Sequence, residues 1–185
     1  MDKKGVKWSW TSALVGAASV AAATAVILAK PKNPVIDLIS VDLTSFRLKF
    51  PSVEAQLLLT VHASNPNFAP AHYSPATVSI FYAGSLLGSA DVAGGSQPPR
   101  SCRVLRLPAR LDGVKLAHHA GRFFSDVARR EMVLDAAVDV AGDARVMWWD
   151  HKFKVHVDSR VTMDPVILDV VNQENKSQLE VSYLW

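Results

Sequence analysis

The sequence predicts an all-β domain, a β-sandwich with one inserted helix, preceded by a single N-terminal transmembrane helix. Three observations lead to this prediction. Apolar and polar residues alternate with a period of two along much of the chain. Turn-forming residues separate the alternating runs at short intervals, and a long apolar run without charges lies near the N-terminus. With 185 residues, the chain has room for one domain and short additions.

The predicted transmembrane helix covers residues 8–29, which include no charged side chain. An α-helix of this length spans about 33 Å, enough to cross the hydrocarbon core of a bilayer. The flanking lysines are slightly more numerous on the N-terminal side, which favours a cytosolic tail, residues 1–7, and a domain across the membrane. The alternative is a signal peptide cleaved after Ala25, which releases a secreted soluble form. Residues 26–28 continue the apolar run past that point and favour an uncut anchor.

The basic character of the chain belongs to the flanks of this helix. Residues 1–32 hold five lysines and one aspartate, whereas the whole chain has a net charge of +3, so residues 33–185 carry a net charge of −1. A domain without a positive surplus is not expected to bind nucleic acid. Cys102 is the only cysteine, which excludes an intramolecular disulfide and a zinc site built from cysteines.

The β-domain is predicted to cover residues 35–165, after a linker at 30–34 whose two prolines favour extended backbone. Its first clear strand is residues 54–64, where every second residue is apolar. This strand ends in Asn65-Pro66-Asn67. Because Pro66 holds Asn65 extended and an asparagine side chain can bond to nearby backbone, we interpret the two amides as turn-formers and not as ligand contacts.

A hairpin is predicted next. The strand at residues 76–82 turns through Gly84, which supplies a positive φ, into a second strand. Residues 104–111 are then predicted to form an edge strand or a bulged strand, because Pro108 lies within them.

One helix interrupts the alternation at residues 115–130. Its apolar residues recur at helical spacing and predict an amphipathic helix; they are Leu116, Ala120, Phe123, Phe124 and Val127. Alternation returns at residues 132–140, continues after a predicted turn at 141–143 in residues 144–149, and is clearest at residues 151–163. The C-terminal extension, residues 166–185, either adds a strand or stays free. Within it, Asn175 begins an N-glycosylation triplet, which is a candidate site if the domain is lumenal or extracellular.

The histidines and serines do not form a catalytic or metal-binding pattern. His118 and His119 are adjacent on the predicted helix and cannot share one face. His151 and His156 lie at an odd separation on a strand, which places them on opposite faces. The serines that follow glycines lack the G-x-S-x-G pattern. We therefore expect no catalytic, cofactor-binding or metal-binding residue.

The order of several features resembles a plant protein family. After the apolar run and the linker come "ASNPNFAP" at residues 63–70, Tyr73, "YAGSLLG" at residues 82–88, and Gln97-Pro98. This order resembles the late embryogenesis abundant subgroup-two domain, also called the water-stress and hypersensitive-response domain, and its membrane-anchored, harpin-induced-like branch. The residues that carry the motif are Asn65, Pro66, Asn67, Tyr73 and Gly84. The chain departs from this branch in having no cysteine near the end of the domain.

The resemblance implies an immunoglobulin-like or fibronectin-III-like β-sandwich without known catalysis or cofactor. It also implies a role in stress or defence at the plasma membrane or an endomembrane. We therefore expect a non-enzymatic, single-pass membrane protein that acts as an interaction or protective module, with the membrane and other proteins as partners. The alternative is a sandwich that binds a lipid-like or small apolar ligand in its interior.

Overall fold

A computed structural model describes residues 31–49, 52–146 and 149–182 of the chain. Strands make up most of these residues, so the all-β class is confirmed. The predicted tail at 1–7 and the predicted transmembrane helix at 8–29 lie outside the described ranges. In the part that is described, no helix is both long enough and apolar enough to cross a membrane.

The described strands all pair in antiparallel fashion and belong to one sheet. One path through the sheet runs from β1 through β2, β7, β5, β4, β8 and β9 to β10. The short strand β3 pairs with β8, and β6 pairs with β3. In chain order the strands are β1 (Val35–Lys49), β2 (Ser52–Asn65), β3 (Ala71–Tyr73), β4 (Ala76–Tyr82), β5 (Ser85–Val92), β6 (Gly95–Gln97), β7 (Ser101–Asp112), β8 (Met132–Val146), β9 (Trp149–Asp164) and β10 (Asp169–Ser182).

The sheet is nearly closed, because its two end strands, β1 and β10, lie beside each other. Hydrogen bonds from side chains connect these two strands, whereas backbone hydrogen bonds connect the other neighbouring strands. The Asn175 amide donates to the Ile36 carbonyl oxygen at 2.6 Å, and the Leu38 amide donates to the Gln173 side-chain oxygen at 2.8 Å. We call this contact the β1–β10 seam. The C-terminal extension thus adds a strand, which resolves the alternative left open by the sequence.

The core lies inside the curved sheet and is built from the inward-facing residues predicted by the alternation. On β2 these include Leu57 and Val61, and on β9 Val155, Val157 and Val161. Burial of one such side chain stabilises the fold by about 1.5–3 kcal/mol. The central buried cluster consists of Val41, Leu57, Val61, Ile80, Tyr82, Leu87, Ala90, Leu107, Ala109, Met132 and Met163.

The predicted single helix is wrong in one respect, since the structure has two short helices, α1 (Gly113–Ala117) and α2 (Ala120–Arg129). The chain leaves helical geometry at His119, whose φ and ψ are −111° and 22°. The His119 ring lies 2.9 Å from the Ser85 hydroxyl and packs edge-on against the Tyr82 ring. These contacts with the β4–β5 hairpin hold the residue at which the helix breaks.

The apolar face predicted for this helix is also only partly correct. Phe123 is half-buried and packs against the core, but Phe124 is 70% exposed. Adjacent residues on a helix are about 100° apart, so both rings cannot face the sheet.

Strand β7 lies between β2 and β5 and has no bulge in its ladder with β2, so the predicted edge strand is correct only for the part that β5 does not pair with. Strand β7 pairs with β2 along its whole length but with β5 only at Ala109–Leu111. From Ser101 to Pro108, β5 and β7 diverge. Pro108 has no backbone N–H to donate, and β5 does not pair with β7 at this residue, so no hydrogen bond between these two strands is lost.

Candidate functional site: the Asn-Pro-Asn turn

Asn65 is a buried residue that closes the turn with its side chain. Its side-chain nitrogen donates to the carbonyl oxygens of Ala69 and Pro98, at 3.0 Å and 3.1 Å, and its side-chain oxygen accepts from the Asn67 amide at 3.0 Å. The residue is only 5% exposed. The side-chain nitrogen and the side-chain oxygen are both engaged inside the protein, so Asn65 joins two segments of the chain.

Asn67 makes a different contact, with the chain just before β1. The Lys32 amide donates to the Asn67 side-chain oxygen at 2.7 Å, and the Asn67 side-chain nitrogen donates to the Lys32 carbonyl oxygen at 2.9 Å. The Asn67 side-chain amide thus bonds to both the N–H and the carbonyl group of Lys32, as the backbone of a neighbouring strand would. The Asn67 carbonyl oxygen also accepts from the Arg100 amide at 2.9 Å. The turn therefore fixes the backbone of the predicted linker.

Gln97 completes the network from the segment that faces the turn. Its buried side chain donates to the carbonyl oxygens of Ala63 and Ser101, at 2.9 Å and 3.0 Å. Next to it, the Arg100 guanidinium stacks on the exposed Phe68 ring at 3.8 Å from the centroid. The Gln-Pro pair that contributed to the family resemblance is thus part of the same structural unit as the Asn-Pro-Asn turn.

Tyr73 and Gly84 occupy structural positions in two different places. Tyr73 lies on β3, opposite Gly95 and Gly142, and a side chain at Gly95 would meet its ring and hydroxyl. Gly84 has a φ of 78° and follows Ala83, whose φ is 49°, in the β4–β5 turn. Two consecutive positive φ values are typical of the two-residue turn that suits the twist of a hairpin.

The glycine that ends "YAGSLLG" has a separate role. A methyl group at Gly88 would overlap with the Arg110 carbonyl oxygen and the Leu111 side chain. Gly88 therefore permits the close approach of β5 and β7 at the short stretch where these strands pair.

A buried charged cluster holds α2 on the sheet. The Tyr82 hydroxyl donates to one Asp126 carboxylate oxygen at 2.7 Å, and Arg129 contacts the other at 2.6 Å. Burial raises the pKa of Asp126, but the hydrogen bonds from Tyr82 and Arg129 outweigh it and lower this pKa below its ordinary value. Burial, helped by the hydrogen bond to Asp126, raises the pKa of Tyr82 to about 12. Asp126 therefore stays ionised and Tyr82 neutral at physiological pH.

A second buried carboxylate extends this anchoring at the end of β9. Asp164 accepts from Arg130 at 2.8 Å and from the Val166 amide at 2.8 Å. Arg130 follows α2 with a φ of 55° and returns its amide to the Val127 carbonyl oxygen, which ends the helix. The two aspartates thus fix both the helix and the β9–β10 turn.

The histidines of the described domain lie on β2, β3 and β9 and on the connection between the two helices. His156 lies on the exposed face of β9 beside Asp139, whose hydrogen bond raises the pKa of the His156 ring. His119 contacts Ser85, but its packing is against the Tyr82 ring and no carboxylate contact is seen for it among the described residues. Across the described ranges, no three His, Cys, Asp or Glu side chains come together as a potential metal site.

Asn175 is an exposed residue of β10 whose amide belongs to the β1–β10 seam. Its nitrogen donates to the Ile36 carbonyl oxygen and to Asp37, and its oxygen accepts from Ser159 and Gln173. A glycan on this nitrogen would replace one of the two donated hydrogens. Glycosylation of Asn175 thus competes with closure of the seam.

Sequence reasoning missed the structural roles of Asp126, of Gly88 and of the amide side chains in the β1–β10 seam. A signal for Asp126 was present, because this charged residue lies between Phe123 and Val127 on the face of the helix that packs on the core. For the close approach at Gly88 and the seam contact of Asn175 the sequence holds no such signal, since these roles depend on which strands become neighbours.

The fold and these contacts define an all-β domain in which the Asn-Pro-Asn turn connects separate segments of the chain by hydrogen bonds. The family model of the late embryogenesis abundant protein, LEA_2, matches residues 60–163, which is more than half of the chain. The chain therefore belongs to this family. Membership supports a stress-related role.

Three solved structures are similar to this chain at low identity. A crystal structure of a protein from Archaeoglobus fulgidus is 12% identical, with a TM-score of 0.37, over 80% of this chain and 100% of that chain. A solution structure of an Arabidopsis thaliana protein is 16% identical, with a TM-score of 0.39, over 84% and 86%. A solution structure of a late embryogenesis abundant protein is 14% identical, with a TM-score of 0.36, over 93% and 85%. A comparison with curated proteins gives no match.

Proposed function

We propose that this chain is a non-enzymatic, single-pass membrane protein of the plant stress and defence response, of the harpin-induced-like branch. Its β-domain acts as an interaction or protective module beside the plasma membrane or an endomembrane. We also propose that the single sheet folds over its core as a β-sandwich, which is supported by the packing of residues from β1, β2 and β7 with residues from β4, β8 and β9 in one buried cluster.

One observation carries the non-enzymatic part of the proposal. The buried polar side chains of the described domain are Asn65, Gln97, Asp126 and Asp164. Each of them bonds to the domain's own backbone or to its own arginine or tyrosine side chains. Buried polar groups that are satisfied in this way stabilise a fold and specify its packing. Their arrangement suits a rigid module.

The membrane part rests on the predicted helix at residues 8–29 and on the lysines around it. Fractionation of the tagged full-length protein tests it, and we expect the protein in the membrane pellet after an alkaline wash, with its N-terminus intact. A soluble protein that begins after Ala25 would contradict the anchor and support the secreted form.

Topology is tested best by protease protection of sealed microsomes, with tags at the two termini. We expect the N-terminal tag to be digested and the C-terminal tag to be protected. The reverse pattern would contradict the proposed orientation. Glycosylation is a weaker reporter, since the Asn175 amide is occupied in the seam.

A second candidate function is the binding of a lipid-like or small apolar ligand, and one observation favours it. Where β5 and β7 diverge, an open cleft of about 540 Å³ is lined mainly by apolar groups, among them Val92, Leu105 and Leu107, with Asp91 and Arg106 at its rim. Its size and lining are of the kind that small apolar ligands occupy.

The cleft is tested by titration of the full-length protein in detergent-free nanodiscs with a fluorescent apolar probe. The Leu105→Asp variant places a charge in the cleft, and Val104→Asp, on an exposed neighbouring position, is the matched control. Saturable binding that only Leu105→Asp removes would support this function. Equal, non-saturable uptake by all three proteins would contradict it.

A further inference from the structure

The Asn-Pro-Asn turn lies at the same end of the sheet as the point where the chain enters the domain. Strand β1 begins at Val35, opposite Ser64, and β7 begins at Ser101, opposite Asn65. The helices and the β4–β5 turn lie at the other end, because they follow the opposite ends of β7 and β4. The domain therefore has a turn end and a helix end.

The chain before β1 is held to the turn end on two sides. Asn67 binds the Lys32 backbone through two hydrogen bonds, of 2.7 Å and 2.9 Å. From β10, Ser177 accepts a hydrogen bond from the Asn33 side chain through its carbonyl oxygen and donates its hydroxyl to the Pro34 carbonyl oxygen. Residues 32–34, which the sequence suggested to be a linker, are thus part of the domain.

This attachment leaves little chain between the domain and the predicted membrane span. The span is predicted to end at residue 29, three residues before Lys32. Three extended residues reach at most about 10–11 Å. Under the proposed anchor, the turn end is therefore the part of the domain to which the predicted span is connected by the fewest residues.

The side chains exposed at the turn end suit the surface of a membrane. Phe68 is 48% exposed and carries the Arg100 guanidinium on its face, at 3.8 Å. Lys32, Pro98 and Pro99 beside them are exposed as well. We call these five residues the turn-end patch. It combines an aromatic ring with two cations, and this composition suits the interface of a membrane that carries anionic lipids.

Acidic groups also lie toward this end of the sheet, on β8 and β9. Asp150 is paired with Arg145 at 2.7 Å, whereas Asp143 lies opposite His72. They belong to the β8–β9 hairpin and not to the strands that carry the turn-end patch, so the charge of the patch itself is positive.

We propose that the turn-end patch lies against the headgroup layer of the membrane, and that Asn67 is the positioning residue that fixes this orientation by holding Lys32. The inference rests on the proposed membrane anchor. It gives the Asn-Pro-Asn turn a function beyond its own stability, because the turn determines which surface of the domain faces the lipid and which faces other proteins.

The native cysteine provides the probe for a test in the full-length chain. Cys102 is exposed and lies at the turn end, opposite Ser64. It is labelled with an environment-sensitive fluorophore, and the protein is reconstituted into vesicles of phosphatidylcholine and phosphatidylserine that carry a spin-labelled headgroup. The matched control is Cys102→Ser combined with Ser125→Cys, which moves the label to α2 at the helix end. We expect strong quenching at position 102 and weak quenching at position 125.

Two variants separate orientation from simple attachment. Asn67→Ala releases Lys32 and is expected to reduce quenching at Cys102, whereas Asn172→Ala, an exposed amide at the helix end of β10, leaves it unchanged. Arg100→Glu reverses a charge of the patch and is expected to reduce quenching also. Flotation of the vesicles shows whether the anchor holds. Protein that fails to float contradicts the anchor and the inference together, and protein that floats with equal quenching at both positions overturns the inference alone.

Discussion

Replacement of Asn65 by aspartate gives the sharpest perturbation of the Asn-Pro-Asn turn. The aspartate has nearly the same shape and keeps the oxygen that accepts from the Asn67 amide. It exchanges the nitrogen for a second oxygen, which then faces the carbonyl oxygens of Ala69 and Pro98 at hydrogen-bonding distance. Two attractive contacts become repulsive in a residue that is 5% exposed.

The size of the effect follows from the hydrogen bonds that are lost. Asn65→Ala removes three, each worth about 1 kcal/mol, and so lowers the free energy of unfolding by about 3 kcal/mol. Asn65→Asp loses more at neutral pH because the carboxylate is also desolvated and faces two carbonyl oxygens. Its pKa in the folded state is raised above the unfolded value, near 3.9. The variant is therefore least destabilised below that pH and loses stability as the pH rises.

Urea unfolding of the full-length protein in mild detergent measures these differences through tryptophan fluorescence. Asn172→Ala serves as the control and should remain within about 0.5 kcal/mol of the natural protein. A loss below about 1 kcal/mol in Asn65→Ala, or a pH-independent loss in Asn65→Asp, would refute a structural role for this amide.

Three further outcomes are expected from the same unfolding assay. Tyr82→Phe loses a hydrogen bond to a carboxylate and about 1.5–3 kcal/mol at neutral pH. Because the pKa of Tyr82 rises to about 12 in the folded state, the natural protein should also lose stability between about pH 10 and 12, and the variant should not show this loss. The lowered pKa of Asp126 gives stability that is present above the ordinary carboxyl range and is lost in acid. In Asp126→Asn, the free energy of unfolding should therefore fall less steeply as the pH is lowered. An unchanged acid dependence would contradict the role of the buried cluster. Gly88→Ala should cost about 1–3 kcal/mol from its overlap with Arg110, against a near-neutral Gly121→Ala, where space is open.

Alternating patterns predicted most strands well because each strand has one packed and one exposed face. Val155, Val157 and Val161 on β9 illustrate this, and so does the hairpin turn at Gly84. The turn predicted at residues 141–143 is wrong, since β8 runs through these residues. The helix was harder to predict, since its break at His119 depends on contacts with Ser85 and Tyr82 from a distant hairpin. Local periodicity carries no information on such contacts.

In the candidate site, too, contacts between residues close in sequence could be predicted, and contacts between distant residues could not. Asn65 follows from local chemistry, because an asparagine before a proline can bond to the backbone two residues on, as its bond with the Asn67 amide shows. The contact of Asn67 with Lys32 spans 35 residues of sequence, and that of Asn175 with Ile36 spans 139. These contacts exist only after β1 has been placed beside β2 and β10.

Hydrogen exchange at the Lys32 amide tests the central claim most directly. This amide donates to the Asn67 side chain and precedes the first strand. We predict that it exchanges slowly in the full-length protein and at the rate of an unprotected amide in Asn67→Ala, while amides within β9 remain protected in both. An unprotected Lys32 amide in the natural protein, or equal protection in the variant, would contradict the claim that the Asn-Pro-Asn turn holds the entry of the chain.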